Sequence, residues 1–316
     1  MKKILTNIAF TPEQTEALNA MEGVELAHFD DDMEHVAAIA EDVVGFHPFG
    51  RAQYLKVIEL CPNLEWIGVS GTGYESLPTA AIKERGITFT NARGITSPAI
   101  AEDVLLKILF QNKNYSRIVK SMEEHNWLRF TEAEPSGELS GLTVSIFGMG
   151  TIGTNVASRL QAMGMYTIGF RSNPGENPHF NEIYTDKGKI LEIVSRSDFV
   201  VCTMPSNTST HGFFSKEVIG AMKPTAHFIN VSRGTLVDED ALVEALQTGK
   251  IAGAALDVVK VEPLAPDHPL WDCKNVLLTS HLSFWSDRTE DNLNRFAFEQ
   301  MLRFGKGEQL HNIVEL

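Results

Sequence analysis

Short apolar runs alternate with segments of helical period along most of the chain. Residues 3–9 form an apolar run of strand length, and Thr11-Pro12-Glu13-Gln14 after it reads as a capping box with proline at the first helical position. That box opens a helix over 12–20, and the alternation continues with strands at 24–28, 41–46, 65–69 and 87–90 and helices at 51–60 and 78–84. Strands this apolar, separated by helices, predict a parallel sheet covered on both faces. The first 95 or so residues therefore form one doubly wound unit.

Ser97-Pro98 reads as an N-cap followed by proline, starting a helix that runs to about Phe110. From Asn112 to Gly141 the chain turns polar, and its isolated Trp127 and Phe130, with the loop Glu134-Pro135-Ser136-Gly137, suggest an arm that packs on a second subunit. A second series begins at Leu142, with strands at 142–147, 165–170, 198–203, 226–231, 251–256 and 275–279 and helices at 151–163, 187–195, 214–222 and 238–248. In the last helix, 286–304, Leu293, Phe296, Ala297, Met301 and Phe304 fall on one stripe, as in a helix that docks back on the first unit.

Charge and cysteine content narrow the function classes. The 27 Lys and Arg against 41 Asp and Glu leave a net charge of −14, which speaks against an electrostatic grip on nucleic acid or an anionic membrane. Cys61, Cys202 and Cys273 are too far apart for a disulfide framework or a metal clip, so no metal and a reducing, cytoplasmic location are expected. The apolar stretch after Lys2-Lys3 is broken by Thr6 and Asn7, too short for a secretory signal, and no run of about 18 apolar residues follows.

Gly148-Met149-Gly150-Thr151-Ile152-Gly153 follows the strand 142–147 and opens a helix, the context a dinucleotide-binding G-x-G-x-x-G requires. The first glycine makes the turn, the second admits a pyrophosphate and the third lets the helix pack on the strand. An NAD site places Asp or Glu about 20 residues on, at the ribose 2′-OH. Here the second strand ends in Arg171-Ser172-Asn173 and no acid occurs between Gly148 and Gly175. Arg171, with Ser172 and Asn173, suits a 2′-phosphate, so NADP is favoured and NAD is left possible. Three later strands end in Asn230-Val231-Ser232-Arg233-Gly234, in Asp257 to Pro263 with Glu262 inside, and in Ser280-His281-Leu282. The carboxyl ends of parallel strands face the ligand, so an Arg, a carboxylate and a His can converge there.

These segments, with Ala255-Leu256-Asp257-Val258, Asn275 to His281, Ser70 to Glu75 and Ser97 to Glu102, make the chain resemble the D-isomer-specific 2-hydroxyacid dehydrogenase family over its whole length. The resemblance implies an α/β fold of two doubly wound parallel-sheet domains with a cleft between them. They are a flavodoxin-like substrate domain, residues 1–96 with 287–316, and a Rossmann cofactor domain, 97–286, carrying a dimerisation arm at about 112–141. It implies His281 as the proton donor to a 2-oxo acid, Glu262 favouring its imidazolium form, and Arg233 holding the substrate carboxylate and polarising the carbonyl. Thr72 and Gly73 would add backbone donors, and Met204, Pro205, Thr210, Val231 and Asp257 would line the cofactor beside Gly148, Gly150, Thr151, Ile152 and Gly153. With its last helix near residue 304, a regulatory domain like that of long phosphoglycerate dehydrogenases is not expected.

Phe284 and Trp285 after His281, and the loop Phe46-His47-Pro48-Phe49, point to a substrate with an apolar or aromatic side chain. The expected activity is hydride transfer from NADPH to C2 of such a 2-oxo acid, giving a D-2-hydroxy acid, in a homodimer. The alternatives are a glyoxylate/hydroxypyruvate reductase and a dinucleotide-sensing binding protein similar to the C-terminal-binding-protein corepressors.

Overall fold

The computed structural model describes residues 1–50, 52–129 and 135–316. It divides into two compact units, Met1–Thr96 with Ser286–Leu316, and Ser97–Trp285.

The first unit contains β1 (Lys2–Thr6), α1 (Pro12–Asn19), β2 (Val24–His28), α2 (Met33–Ile39), β3 (Val43–Phe46), α3 (Tyr54–Leu60), β4 (Trp66–Val69), α4 (Thr79–Glu84) and β5 (Thr88–Asn91). Its five strands are parallel in the order β2-β1-β3-β4-β5, the flavodoxin-like winding. The capping box at α1 forms as its sequence requires: Gln14 N–H donates to Thr11 Oγ1 at 3.3 Å and Thr11 N–H to Gln14 Oε1 at 3.0 Å. Two elements differ from the sequence reading. Helix α2, capped by Asp32, occupies a stretch left unassigned, and the strand expected from residue 41 begins only at Val43, after a 3₁₀ turn.

The second unit opens with α5 (Ser97–Asn112) and α6 (Tyr115–Glu123). It continues through β6 (Thr143–Phe147), α7 (Thr151–Ala162), β7 (Tyr166–Phe170), β8 (Glu182–Tyr184), α8 (Ile190–Arg196), β9 (Phe199–Cys202), α9 (Lys216–Ala221), β10 (His227–Asn230), α10 (Glu239–Gln247), β11 (Gly253–Leu256) and β12 (Val276–Leu278). All seven strands are parallel, in the order β12-β11-β10-β9-β6-β7-β8. The order reverses between β6 and β9, the switch point where such sheets take ligands. Strand β8 is one more than the six expected; three half-buried residues carry too little apolar pattern to announce a strand.

Helix α11 (Thr289–Gly305) belongs to the first unit, where Ala297 and Met301 pack with Ile4, Leu18 and Trp66. Ser97 does not cap α5: it lies inside the helix, and its hydroxyl donates to Thr151 Oγ1 at 3.1 Å. The stretch expected as a polar arm contains α6, whose Tyr115, Ile118, Val119 and Met122 form an exposed apolar stripe. Trp127 beyond it is 89% exposed, and Phe130 lies outside the described residues.

Candidate active site

Register lines up the strand ends of the second unit. Asn230 pairs with Leu256 and Leu256 with Leu278, so the loops after β10, β11 and β12 leave the sheet at one level. Arg233, Glu262 and His281 lie on those three loops, and the glycine loop after β6 leaves the same edge.

At the glycine loop each residue type has a local cause. Gly148 has φ +105°, and a Cβ there would come within 2.7 Å of backbone atoms of Thr203 and Met204. At Gly153 a Cβ would lie 1.9 Å from Gly148 O, so only glycine lets α7 start this close to β6. Gly150 is the N-cap of α7, has no side-chain cap and no atom within 4 Å of where its Cβ would be. Unpaired helix-start N–H groups beside an open backbone are what a pyrophosphate needs, so the residues present fit a dinucleotide. Thr203, not singled out from the sequence, holds the turn by donating from Oγ1 to Gly148 O at 2.7 Å.

Arg171 directly follows β7, its guanidinium beside Gly175, where a Cβ would lie 2.8 Å from Nη1. Among the described residues that guanidinium has no hydrogen-bond or ion-pair partner, and Ser172 and Asn173 beside it are exposed. Four other expected cofactor contacts are engaged within the protein. The Thr210 hydroxyl donates to Pro205 O at 2.8 Å and closes its own loop. The Val231 side chain is buried in the core, Ile152 packs partly against that core, and Met204 O accepts from Ser232 Oγ.

His281 Nδ1 lies 2.8 Å from Glu262 Oε2, with both side chains about two-fifths exposed at 41% and 38%. The backbone at His281 is left-handed, with φ 55°, a conformation costly for a residue with a Cβ and held only where the surroundings over-determine it. Asp257 does so. Its carbonyl accepts from His281 N–H at 2.8 Å, and its carboxylate accepts from Leu282 N–H at 2.9 Å, Ser283 N–H at 3.1 Å and Thr279 Oγ1 at 2.6 Å. Burial resists ionisation of Asp257, but the bonds from Ser283, Thr279 and the backbone amides together outweigh it and hold the carboxyl below its ordinary value. The Asp257 carboxylate thus ties the His281 loop to the end of β11.

Arg233 follows β10 in extended backbone, its carbonyl accepting from Asn230 Nδ2 at 2.9 Å. A Cβ at Gly234 would lie 2.0 Å from the Val259 carbonyl carbon, so glycine brings the Arg233 loop against the segment leading to Glu262. Beyond His281, the Phe284 ring stands edge-on at 6.1 Å and half-packs on the core, while Trp285 is 53% exposed. In the first unit Thr72 and Gly73 are exposed, and their N–H groups donate to no protein group among the described residues. The Phe46 loop corrects one expectation: Phe46 and His47 are 0% exposed and turn into the core, His47 edge-on to Trp66, so neither faces a substrate.

The model of the D-isomer specific 2-hydroxyacid dehydrogenase NAD-binding domain matches residues 105–283. Glyoxylate/hydroxypyruvate reductase B of Pectobacterium carotovorum subsp. carotovorum is 30% identical over 89% of this chain and 88% of its own. A D-3-phosphoglycerate dehydrogenase of Methanocaldococcus jannaschii is 32% identical over 82% of this chain, which spans about half, 49%, of that relative. Among solved structures, an NADPH-dependent glyoxylate/hydroxypyruvate reductase from Sinorhizobium meliloti in complex with citrate is 29% identical, with a TM-score of 0.81 over 99% of this chain and 98% of that one. With a cofactor-domain match over more than half its length, and relatives at this identity along most of it, the chain belongs to the D-isomer specific 2-hydroxyacid dehydrogenases, a family of NAD(P)-dependent oxidoreductases.

Proposed function

We propose that the protein is an NADP(H)-dependent reductase of 2-oxo acids, forming D-2-hydroxy acids. The observation that carries this is the His281–Glu262 pair at 2.8 Å, one strand away from the loop bearing Arg233 at the edge that holds the glycine loop. When bound at that loop, reduced nicotinamide supplies the hydride for C2. His281 supplies the proton: with Nδ1 on Glu262, Nε2 is left to protonate the carbonyl oxygen as it becomes an alkoxide. Glu262 holds the ring through Nδ1, and Arg233 offsets the substrate carboxylate and polarises the carbonyl.

NADP over NAD is supported by Arg171, a cation without a protein partner among the described residues where an NAD site carries an acid. The names of the Pectobacterium and Sinorhizobium relatives support glyoxylate and hydroxypyruvate as substrates. A larger apolar side chain is supported by the exposed Trp285 and by the Phe284 edge against His281. Initial rates with NADPH and NADH against glyoxylate, hydroxypyruvate, pyruvate, 2-oxoisocaproate and phenylpyruvate test all three. Oxidation of NADPH by none of them refutes the reductase and leaves a dinucleotide-binding protein. We also propose that the stripe of α6 with Trp127 seats a second copy of the chain.

A further inference from the structure

The loop between β7 and β8 carries Arg171 and is tied by side chains to the helix that starts at the glycine loop. At its base, Arg171 N–H donates to Tyr184 O of β8 at 3.1 Å. Its guanidinium lies against Gly175, where a Cβ would come 2.8 Å from Nη1 and 3.3 Å from Cζ, so the loop is the surface on which the cation rests. Two residues on, Asn177 joins that surface to α7. Its Oδ1 accepts from His179 N–H at 3.1 Å, which leaves Nδ2 to donate to Thr154 Oγ1 at 2.9 Å. Thr154 stands one turn into α7, its N–H on Gly150 O at 2.9 Å, so the bond ends beside the glycine at the start of the helix. Gln161 Nε2 reaches Pro178 O only at 3.5 Å, which makes Asn177 the shorter of these two links between loop and helix. Just beyond, Phe180 is buried with Met149 of the glycine loop over Gly169, where a Cβ would lie 2.8 Å from Phe180 Cδ1 and 2.5 Å from Met149 Sδ.

NADP carries its pyrophosphate and its 2′-phosphate on the same ribose, so a chain that reads both must hold two anion seats in a fixed relation. A link made before the nucleotide arrives spares the ordering of a loose loop on binding. We propose that Asn177 is a positioning residue for NADPH selectivity: its bond to Thr154 holds the loop under the Arg171 guanidinium in register with the start of α7. NADH has a hydroxyl in place of that phosphate and does not use the link. This rests on the reading of Arg171 as the seat of the 2′-phosphate.

Equilibrium titration of the full chain with NADPH and with NADH, followed by nicotinamide fluorescence, reads this without turnover. Asn177→Ala weakens NADPH binding at least about fivefold, as for loss of one hydrogen bond, and leaves NADH binding at the parental value. Thr154→Val removes the same bond from the helix side and gives the same split, whereas Thr154→Ser keeps the acceptor and binds NADPH as the parent does. In an Arg171→Ala background, adding Asn177→Ala weakens NADPH binding no further, because the link acts through the guanidinium. Parental binding of both nucleotides by Asn177→Ala, equal loss of both, or further weakening in the double variant overturns the proposal, as does a Thr154→Ser chain as weak as Thr154→Val. If Asn177→Ala does not fold, Thr154→Val decides by the same split. Arg171→Ala alone tells the two failures apart. Unchanged NADPH affinity in that variant removes the reading of Arg171 and the proposal with it; weakened affinity there, with parental affinity in Asn177→Ala, removes only the positioning role.

Discussion

In the proposed reading, one guanidinium, that of Arg171, separates the two dinucleotides. Loss of a charge-assisted contact to the 2′-phosphate costs ~1.5–3 kcal/mol, so Arg171→Ala weakens NADPH binding at least about tenfold and leaves NADH binding almost unchanged. Fluorescence titration with both nucleotides checks this, and equal parental affinities refute it. At the proposed proton donor, His281→Ala lowers reductive kcat/KM by ~10²–10⁴ with the chain still folded and binding NADPH. Glu262→Gln removes the carboxylate that holds Nδ1, so reductive kcat falls with NADPH affinity kept; an unchanged kcat contradicts the pairing. A third residue acts on stability. Both ring nitrogens of His47 are buried with no hydrogen-bond partner among the described residues, and burial pushes its pKa down to about 3. The unfolded chain then binds the extra proton, so this contribution is present above pH ~6.5 and is lost as pH falls toward 3, at up to ~1.4 kcal/mol per pH unit. Chemical denaturation between pH 7 and 4 should show a shallower decline in His47→Leu; an identical slope refutes the assignment.

Among the elements, α6 is the one whose exposed face asks for a partner. Tyr115, Ile118, Val119 and Met122 follow helical spacing and all are at least 39% exposed, with Leu106 of α5 at 60%. Apolar stripes of this kind mark interaction sites rather than solvated faces. In sedimentation at micromolar concentration the parent should run as a dimer and Ile118→Asp/Met122→Glu as a monomer. A monomeric parent removes the proposal, and a variant that stays dimeric moves the interface elsewhere. The helix was hidden in the sequence because Lys, Arg, Glu and Ser fill its other face, so the window reads as polar.

For the whole chain, each unit has apolar clusters of its own: the first around Phe46, Trp66 and Phe89, the second around Phe147, Phe214 and Ile146. Units with separate cores can unfold as separate steps. Calorimetry should resolve two transitions. Saturating NADPH should raise the one belonging to the second unit by ~2.7 kcal/mol of added stability at a hundred times Kd. A single transition refutes independent unfolding.

Alternation of short apolar strands with helices, and glycines placed where strand gives way to helix, already determined two doubly wound sheets and a dinucleotide loop. They are local signals: Gly148 needs its positive φ and Thr11 its capping partner whatever surrounds them. The order of residues likewise put Arg233, Glu262 and His281 on successive strand ends, because parallel strands send all such loops to one edge. Only the tertiary structure decided what each side chain meets there. His47 reads as a loop residue and is buried on Trp66, and the Asp257 carboxylate takes the amides of Leu282 and Ser283 in the His281 loop. Periodicity is a property of neighbours in the chain, whereas burial and hydrogen-bond partners are set by segments far apart in it, as where Asn294 bonds Ala9, 285 residues away.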